Sequence, residues 1–238
     1  MENMKKSFMD MKWYEWLMAI IMIVIAANAM IQGFHGVEIG GNPAWLTIIN
    51  FISAVAGIFC VFFCAKASIS NFFFAVINTT VYMIYLWYWK IYGTFLLEAL
   101  FYMPMNIACW VAWSKHRDDF QKHLTKSRVL TNAERVALGC FVVSGTIIAH
   151  YLLDRVGGTV PWLDAMTLNI GIVATILELR RYYEQYVLWI ITDVVAVAMY
   201  IVHFDPVYLT KKSIYLIMAI IGLRNWMWLH NNRNNINE

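Results

Sequence analysis

Residues 44–65 read AWLTIINFISAVAGIFCVFFCA and contain no Asp, Glu, Lys or Arg. A helix needs about 20 apolar residues to cross a bilayer, so this run is long enough to span a membrane. The whole composition agrees, because 61% of the 238 residues are hydrophobic and 14% are charged, whereas soluble domains are about 25% charged. The sequence therefore predicts an integral membrane protein and excludes a soluble globular domain.

Seven further windows resemble the first, which predicts an all-α protein with eight transmembrane helices. Most of these windows carry between none and two charged residues. The last is the weakest, since it begins near Lys211 and Lys212, whose long side chains can reach the membrane interface. The predicted helices are 17–34, 44–65, 67–89, 91–114, 136–153, 156–177, 182–204 and 207–229.

The Lys and Arg residues predict the orientation of these helices. With the N-terminus inside, 14 of the 18 fall on the cytoplasmic side, and the other four are Lys90, Arg155, Lys211 and Lys212. Cytoplasmic loops carry such an excess, so both termini are expected to be cytoplasmic. The net charge is only +3 and the basic residues are dispersed between apolar spans, so nucleic acid is not an expected partner.

The second half of the chain repeats the first at an offset of 113 residues. The paired positions are Asn71 with Glu184, Trp87 with Tyr200, Tyr102 with Tyr215, and Trp113 with Trp226. The second to fourth predicted helices align with the sixth to eighth, and the fifth is left as a linker. Parallel repeats of this kind occur in transporters that bind their substrate between the halves. The pattern favours a carrier that works by alternating access.

The repeat also predicts how the chain is divided. We expect an N-terminal region with an extra helix (1–35), a first three-helix repeat (44–113), a cytoplasmic loop (114–134), a linker helix (135–155), a second three-helix repeat (161–229) and a polar tail (230–238).

Polar and aromatic residues recur at helical spacing on four predicted helices. Polar groups are costly in lipid, so these faces should point into the bundle or into an aqueous cavity. The alternatives to substrate binding are structural roles: core packing or an interfacial belt for the aromatic residues, and interhelical hydrogen bonds for the two asparagines. The candidate substrate-binding residues are Asn78, Tyr82, Tyr102, Asn106, Trp110, Trp113, Trp189, Asp193 and Tyr215.

Three ionisable or helix-bending residues have separate interpretations. Asp193, within a predicted span, could pair with Lys211, Lys212 or a hydroxyl group, or could stabilise a flat cationic solute together with aromatic faces. Glu98 aligns with Lys211 across the repeat, which suggests a structural or gating ion pair. Pro104 removes a backbone hydrogen bond within its helix and is a candidate hinge.

The sequence shows no cluster of residues that would form an enzyme active site. Its carboxylates are dispersed over several helices, its histidines are scattered, and its four cysteines lie inside apolar spans. No catalytic residue, metal site or cofactor is predicted. A channel or a receptor-like binding protein stays open as an alternative to a carrier, because only saturable exchange of cargo would distinguish them.

Several motifs carry a resemblance to a known family. They are SNFFFAVINTT at 70–80, WVAW at 110–113, EQYVLW at 184–189 and the pair Asn225 and Trp226. Between about residues 44 and 228 the chain resembles the PnuC family of vitamin transporters. Two departures stand out: Ala108-Cys109-Trp110 replaces the usual Tyr-Gly-Trp, and Asp193 stands where nicotinamide riboside carriers can have Asn and thiamine-type relatives can have Asp.

The resemblance implies a fold and a function. The fold is a 3-1-3 core related to the SWEET sugar carriers, preceded here by the extra helix, in a homotrimer in the bacterial cytoplasmic (inner) membrane. The function is facilitated uptake of nicotinamide riboside, which a cytoplasmic kinase then phosphorylates and so traps. Thiamine or another vitamin or nucleoside is the alternative cargo.

Overall fold

The structure is a computed structural model that describes residues 2–34, 43–88, 90, 92–117, 124–155, 161–202 and 206–236. The predicted boundaries at 35, 89, 91, 156 and 204, the loop residues 118–123 and the tail residues 237–238 lie outside these ranges. The helices are α1 Glu2–Met9, α2 Trp13–Phe34, α3 Ala44–Ala65, α4 Asn71–Tyr88, α5 Tyr92–Leu97, α6 Met103–Lys115, α7 Asn132–Arg155, α8 Pro161–Leu179, α9 Gln185–Val202 and α10 Pro206–Ile236, with a π-helical segment Glu98–Tyr102 between α5 and α6.

Several of these helices suit a membrane. Within the described ranges, four helical segments are long and apolar enough to cross one: Trp13–Gln32, Trp45–Ala65, Phe95–Lys115 and Asn132–Leu152. Two shorter helical segments, Ala165–Leu179 and Gln185–Ala198, are also apolar. The last helix, α10, continues to Ile236, through most of the segment predicted as a polar tail.

Helices α3 and α8 end in the same kind of turn. Each turn contains a residue in the left-handed region, Ala67 with φ 57° and Arg181 with φ 64°. In each, the next backbone amide donates to the carbonyl four residues before the left-handed one, at 2.9 and 3.0 Å, which caps the helix. Because these turns occupy the chain, α4 and α9 begin at Asn71 and Gln185, later than the predicted 67 and 182.

The π-helical segment accounts for a change in the repeat offset. Equivalent positions in the two turns are 114 residues apart, and so are the starts of α5 at Tyr92 and α10 at Pro206. Tyr102 and Tyr215, in contrast, are 113 residues apart. The first half therefore has one extra residue between these points, and a π-helical turn accommodates one. Pro104 is the second residue of α6, two positions after the π-helical segment. It has no amide to donate and its ring crowds the carbonyl four residues earlier, which favours a wider turn there.

The helix that precedes each half begins in a similar way. The backbone amide of Lys12 donates to Glu15 Oε2 at the start of α2, and that of Thr131 donates to Glu134 Oε2 at the start of α7, both at 2.7 Å. The Thr131 hydroxyl also accepts from the Glu134 amide, which completes a capping box. Helix α2 packs on α3 just as α7 packs on α8.

A segment that we call the strap, residues 124–130, joins the two halves. The amide of Thr125 donates to the Ala67 carbonyl at 2.9 Å, and the amide of Arg128 donates to the Arg181 carbonyl at 2.8 Å. The Ser127 hydroxyl donates to the Trp226 carbonyl at 3.3 Å. The strap thus binds both equivalent turns. We call this end of the bundle, where Lys66, Lys115, Arg128, Arg180 and Arg181 lie, the basic end.

Candidate functional site

Two tryptophans meet between the halves at the basic end. Trp113 and Trp226 are fully buried, and their ring centroids lie 5.1 Å apart. The indole N–H of Trp113 donates to the Glu178 carbonyl at 2.9 Å, and that of Trp226 donates to the Cys64 carbonyl at 3.0 Å. Cys64 and Glu178 occupy equivalent positions, 114 residues apart, so the repeat relates these two crossed hydrogen bonds. The pair closes this end of the interface.

The side chains of Cys64 and Glu178 also meet. The thiol of Cys64 donates to Glu178 Oε1 at 3.7 Å, and the Tyr186 hydroxyl donates to the Cys64 carbonyl at 2.7 Å. The Tyr186 ring lies over Gly222, where an added Cβ would come within 2.5 Å of it. Glu178 is not among the predicted site residues, because the sixth predicted helix ends at residue 177. The 114-residue offset is the signal that would have paired it with Cys64.

Two tyrosines cross between the halves beside glycines. The Tyr215 hydroxyl oxygen lies 2.7 Å from where a Cβ of Gly57 would be, and the Tyr102 hydroxyl oxygen lies 2.8 Å from that of Gly171. The last helix of each half thereby contacts the first helix of the other. Only glycine leaves room for the phenol at such an approach. The two predicted site tyrosines therefore occupy equivalent positions on the interface between the halves.

The two asparagines form interhelical hydrogen bonds. The Ser53 hydroxyl donates to Asn78 Oδ1 at 2.7 Å, and Asn106 Nδ2 donates to the Thr79 hydroxyl at 3.1 Å. Asn78 Oδ1 also lies 3.6 Å from the Cβ position of Gly57, next to the Tyr215 hydroxyl. Asn78 and Tyr215 thus approach each other from different halves.

The carboxylate of Asp193 is paired. Asp193 is buried, and its Oδ1 lies 3.0 Å from Nζ of Lys212. The ammonium groups of Lys211 and Lys212 each lie 5.7 Å from the centroid of the Tyr215 ring. The ion pair suggested between Glu98 and Lys211 is not formed among the described side chains. The second of the two adjacent lysines forms the salt bridge, and its partner is Asp193.

The remaining predicted residues lie elsewhere. Trp189 is partly buried and packs against two core clusters, one of which contains Trp113. Tyr82 and Trp110 are exposed, and Tyr82 stacks on Tyr85 with 6.2 Å between ring centroids. Pro104 is also exposed. The structure thus places Asn78, Tyr102, Tyr215 and the tryptophan pair at the interface between the halves. It places Asn106 and Asp193 in polar contacts within the first and the second half, respectively, and Tyr82 and Trp110 at the surface.

Two cavities lie away from this interface. One, of about 300 Å³, is an apolar groove on α4 and α5 between Thr80, Trp87 and Phe95. The other, of about 280 Å³, lies at the basic end beside Glu15 and Lys66. Neither is lined by the polar residues gathered between the halves.

Apolar helices in two equivalent halves, with polar side chains buried between them, define a multi-pass membrane transporter rather than an enzyme. The profile of the nicotinamide mononucleotide transporter family matches residues 47–228, and the chain belongs to this family. The resemblance predicted from the motifs is confirmed.

Similar proteins span most of the chain. It is 30% identical to the nicotinamide riboside transporter PnuC of Neisseria mucosa over 207 residues, which cover 83% of this chain and 78% of that protein. It is 27% identical to the Escherichia coli protein of the same name, over 83% of this chain and 91% of that one. A crystal structure of the vitamin B3 transporter PnuC matches with a TM-score of 0.73 and 26% identity, covering 93% of this chain and 94% of that one.

Proposed function

We propose that this protein carries nicotinamide riboside across the bacterial cytoplasmic membrane and binds it between the two halves. The observation that carries the proposal is the crossed interface, where Asn78 and Tyr215 approach from different halves beside Gly57. Amide and hydroxyl groups suit the carboxamide and ribose of such a cargo. The names of the similar proteins support the riboside. Thiamine is the second candidate, favoured by an aspartate at position 193.

We propose eight transmembrane helices, with α2 as the extra helix, α7 as the linker and three spans in each repeat of a SWEET-like 3-1-3 core. The 114-residue offset of turns and helix starts supports the two repeats. The basic end is then cytoplasmic, as are both termini, because Lys and Arg concentrate on that side. A homotrimer is part of the same proposal and rests on the family resemblance.

Transport proceeds by alternating access, in which the two halves rock about the central residues. The conformation described here is closed at the basic end by the Trp113 and Trp226 pair and by the strap. Release of cargo to the cytoplasm requires the crossed indole hydrogen bonds to separate. A cytoplasmic kinase then phosphorylates the cargo, which prevents its return, so that uptake runs down the gradient of free cargo.

Calorimetric titration of purified protein with nicotinamide riboside and with thiamine, side by side, tests the cargo. We expect saturable binding of the riboside and none of thiamine. The same titration of Asp193→Asn measures whether this carboxylate tunes the choice, since its charge is already balanced by Lys212. Binding of thiamine alone would establish the second candidate, and binding of neither would contradict the proposed function.

Replacing Pro104 with alanine is expected to slow transport more than it weakens binding. Alanine restores the amide that proline lacks, so the α-helix can continue through the π-helical segment and stiffen a bending point. We expect uptake into proteoliposomes to fall by about threefold or more, with the dissociation constant changed by less than about twofold. Pro206→Ala is the matched control, because a proline at the first position of a helix loses no hydrogen bond. Equal losses of binding and transport would contradict a hinge.

A further inference from the structure

Within the described part of the chain, Glu178 is a carboxyl group without a counter-ion. It lies one residue before the end of α8 and is partly buried. The thiols of Cys60, Cys64 and Cys109 and the hydroxyl of Tyr186 lie close enough to interact with it electrostatically. Among the described side chains, no Lys or Arg forms a salt bridge with it. A carboxylate held in such surroundings without a cation is costly.

The crossed hydrogen bonds of the tryptophan pair do not involve this carboxyl group. The backbone carbonyl of Glu178, and not its side chain, accepts the indole N–H of Trp113. The equivalent position in the first half holds Cys64, whose backbone carbonyl accepts from Trp226 in the same way. In the first half the turn and the crossed hydrogen bond form with a thiol at this position, so they do not require a carboxyl group. The Glu178 carboxyl accepts a weak hydrogen bond from the Cys64 thiol, which a ligand can replace.

Two buried amides belong to the same region. Asn71 and Gln185 begin α4 and α9, 114 residues apart, so the structure pairs Asn71 with Gln185 and not with Glu184. Both are almost fully buried. Within the part of the chain that the structure describes, the Gln185 side-chain amide has no hydrogen-bond partner, and the Asn71 amide has none beyond the neighbouring Cys64 thiol. Each directly precedes an aromatic residue that packs on the tryptophan pair: Phe72 lies 4.8 Å from Trp113, and Tyr186 lies 5.8 Å from Trp226, between ring centroids. A buried amide without a partner is itself unfavourable.

A cationic cargo would satisfy these groups together. Building on the proposed function, we propose an inner binding site at the basic end, where Glu178 contacts the positively charged ring of the cargo and Asn71 and Gln185 bind its polar substituents. The indole faces of Trp113 and Trp226 are available to the same ring when the pair separates. The ligand class is a planar organic cation that carries amide or amino groups.

Glu178 is a better partner for a cationic cargo than Asp193, because the charge of Asp193 is already neutralised. Asp193 already pairs with Lys212 at 3.0 Å, so a cation that approached it would meet a balanced charge. Among the described residues, the Glu178 carboxyl has one hydrogen-bond donor, the Cys64 thiol at 3.7 Å. Selection for a cation is therefore expected to depend on Glu178 more than on Asp193.

The test compares nicotinamide riboside with its uncharged dihydro form, whose ring has accepted a hydride. Both keep the carboxamide and the ribose, so they differ mainly in charge. In Glu178→Gln we expect binding of the cationic riboside to weaken by about 10- to 100-fold. Binding of the dihydro form should change by less than about threefold. Glu134→Gln is the matched control at an exposed carboxylate, and thermal denaturation shows whether each variant folds.

The possible results of this comparison distinguish failure of the inner site from failure of the proposed function. A loss confined to the cationic form supports the inner site, as does partial recovery in Glu178→Asp. Equal weakening of both forms in a folded variant, or no weakening of either, overturns the inner site while the proposed function stands. If the wild-type protein binds only thiamine, the same comparison uses thiamine and uncharged thiochrome. If the wild-type protein binds neither vitamin, the proposed function itself has failed.

Discussion

Replacing Glu15 with glutamine is expected to lower the free energy of unfolding by about 1–3 kcal/mol, because it removes the counter-ion of the partly buried Lys66 ammonium group. Glu15 Oε2 lies 2.5 Å from Nζ of Lys66, and these side chains are only 1% and 12% exposed. The ammonium group also donates to the Asp10 carbonyl at 2.6 Å, which ties the turn after α3 to the segment between α1 and α2. The midpoint of thermal denaturation in detergent should fall by about 5 °C.

Removal of both charges is expected to restore most of this loss. Lys66→Met alone leaves the Glu15 carboxylate buried and should also destabilise strongly, whereas Glu15→Gln with Lys66→Met buries no unpaired charge. The matched control is Glu134→Gln, because Glu134 accepts a backbone amide at the same 2.7 Å distance as Glu15 but is exposed. Its midpoint should remain close to that of the wild-type protein.

The double variant also provides the decisive result. If it is as unstable as the two single variants combined, the residues stabilise the protein independently of their charges, and the ion-pair explanation is wrong. If it recovers, the pair is a charge-dependent link between the α1–α2 region and the first half.

Much of the helical framework could be predicted because lipid imposes a simple rule on the sequence. Uncharged runs of sufficient length predicted α3 at 44–65, the range that it occupies. The starts of α4 and α9 were predicted too early. The turns before them place Ala67 and Arg181 in the left-handed region, which neither residue type favours, so composition carried no signal there.

The interface between the halves was partly predictable, because the internal repeat can be detected in the sequence. The offset of 113 residues pairs Trp113 with Trp226, and the structure brings these two rings into contact. The choice between Lys211 and Lys212 as the salt-bridge partner was not predictable. Adjacent residues on a helix point about 100° apart, and only the packing of α9 against α10 decides which ammonium reaches Asp193.

The exposure of Tyr82 and Trp110 could not be read from helical spacing alone. Each lies within one turn of a residue on the interface, Asn78 and Trp113 respectively, and the same spacing describes a lipid-facing position near the edge of a stripe. In a membrane protein both faces are apolar, so the hydrophobic pattern that orients a helix in a soluble protein is weak.

Replacing either tryptophan of the central pair with alanine is expected to produce a larger loss, about 3–5 kcal/mol, because it empties a fully buried site. Phenylalanine is the more informative change. It keeps an aromatic ring but removes the indole N–H, so the Glu178 or Cys64 carbonyl loses a partner, at a cost of about 1–3 kcal/mol. If the pair closes the basic end, both substitutions should shift the protein toward a conformation open at that end.

The native thiols allow this opening to be measured. Cys64 lies behind the tryptophan pair, and Cys140 is exposed on α7, so the measurement uses a Cys140→Ser background. In inside-out vesicles, Trp113→Phe should raise the rate at which a membrane-impermeant thiol reagent modifies Cys64 by about tenfold, the population change expected from 1.4 kcal/mol. Trp228→Phe, at an exposed position on the same helix as Trp226, should leave the rate unchanged. Lower stability without faster modification would mean that the tryptophan pair only fills the core. Closure of the basic end would then depend on the strap, because its backbone hydrogen bonds to Ala67 and Arg181 remain intact in the variant.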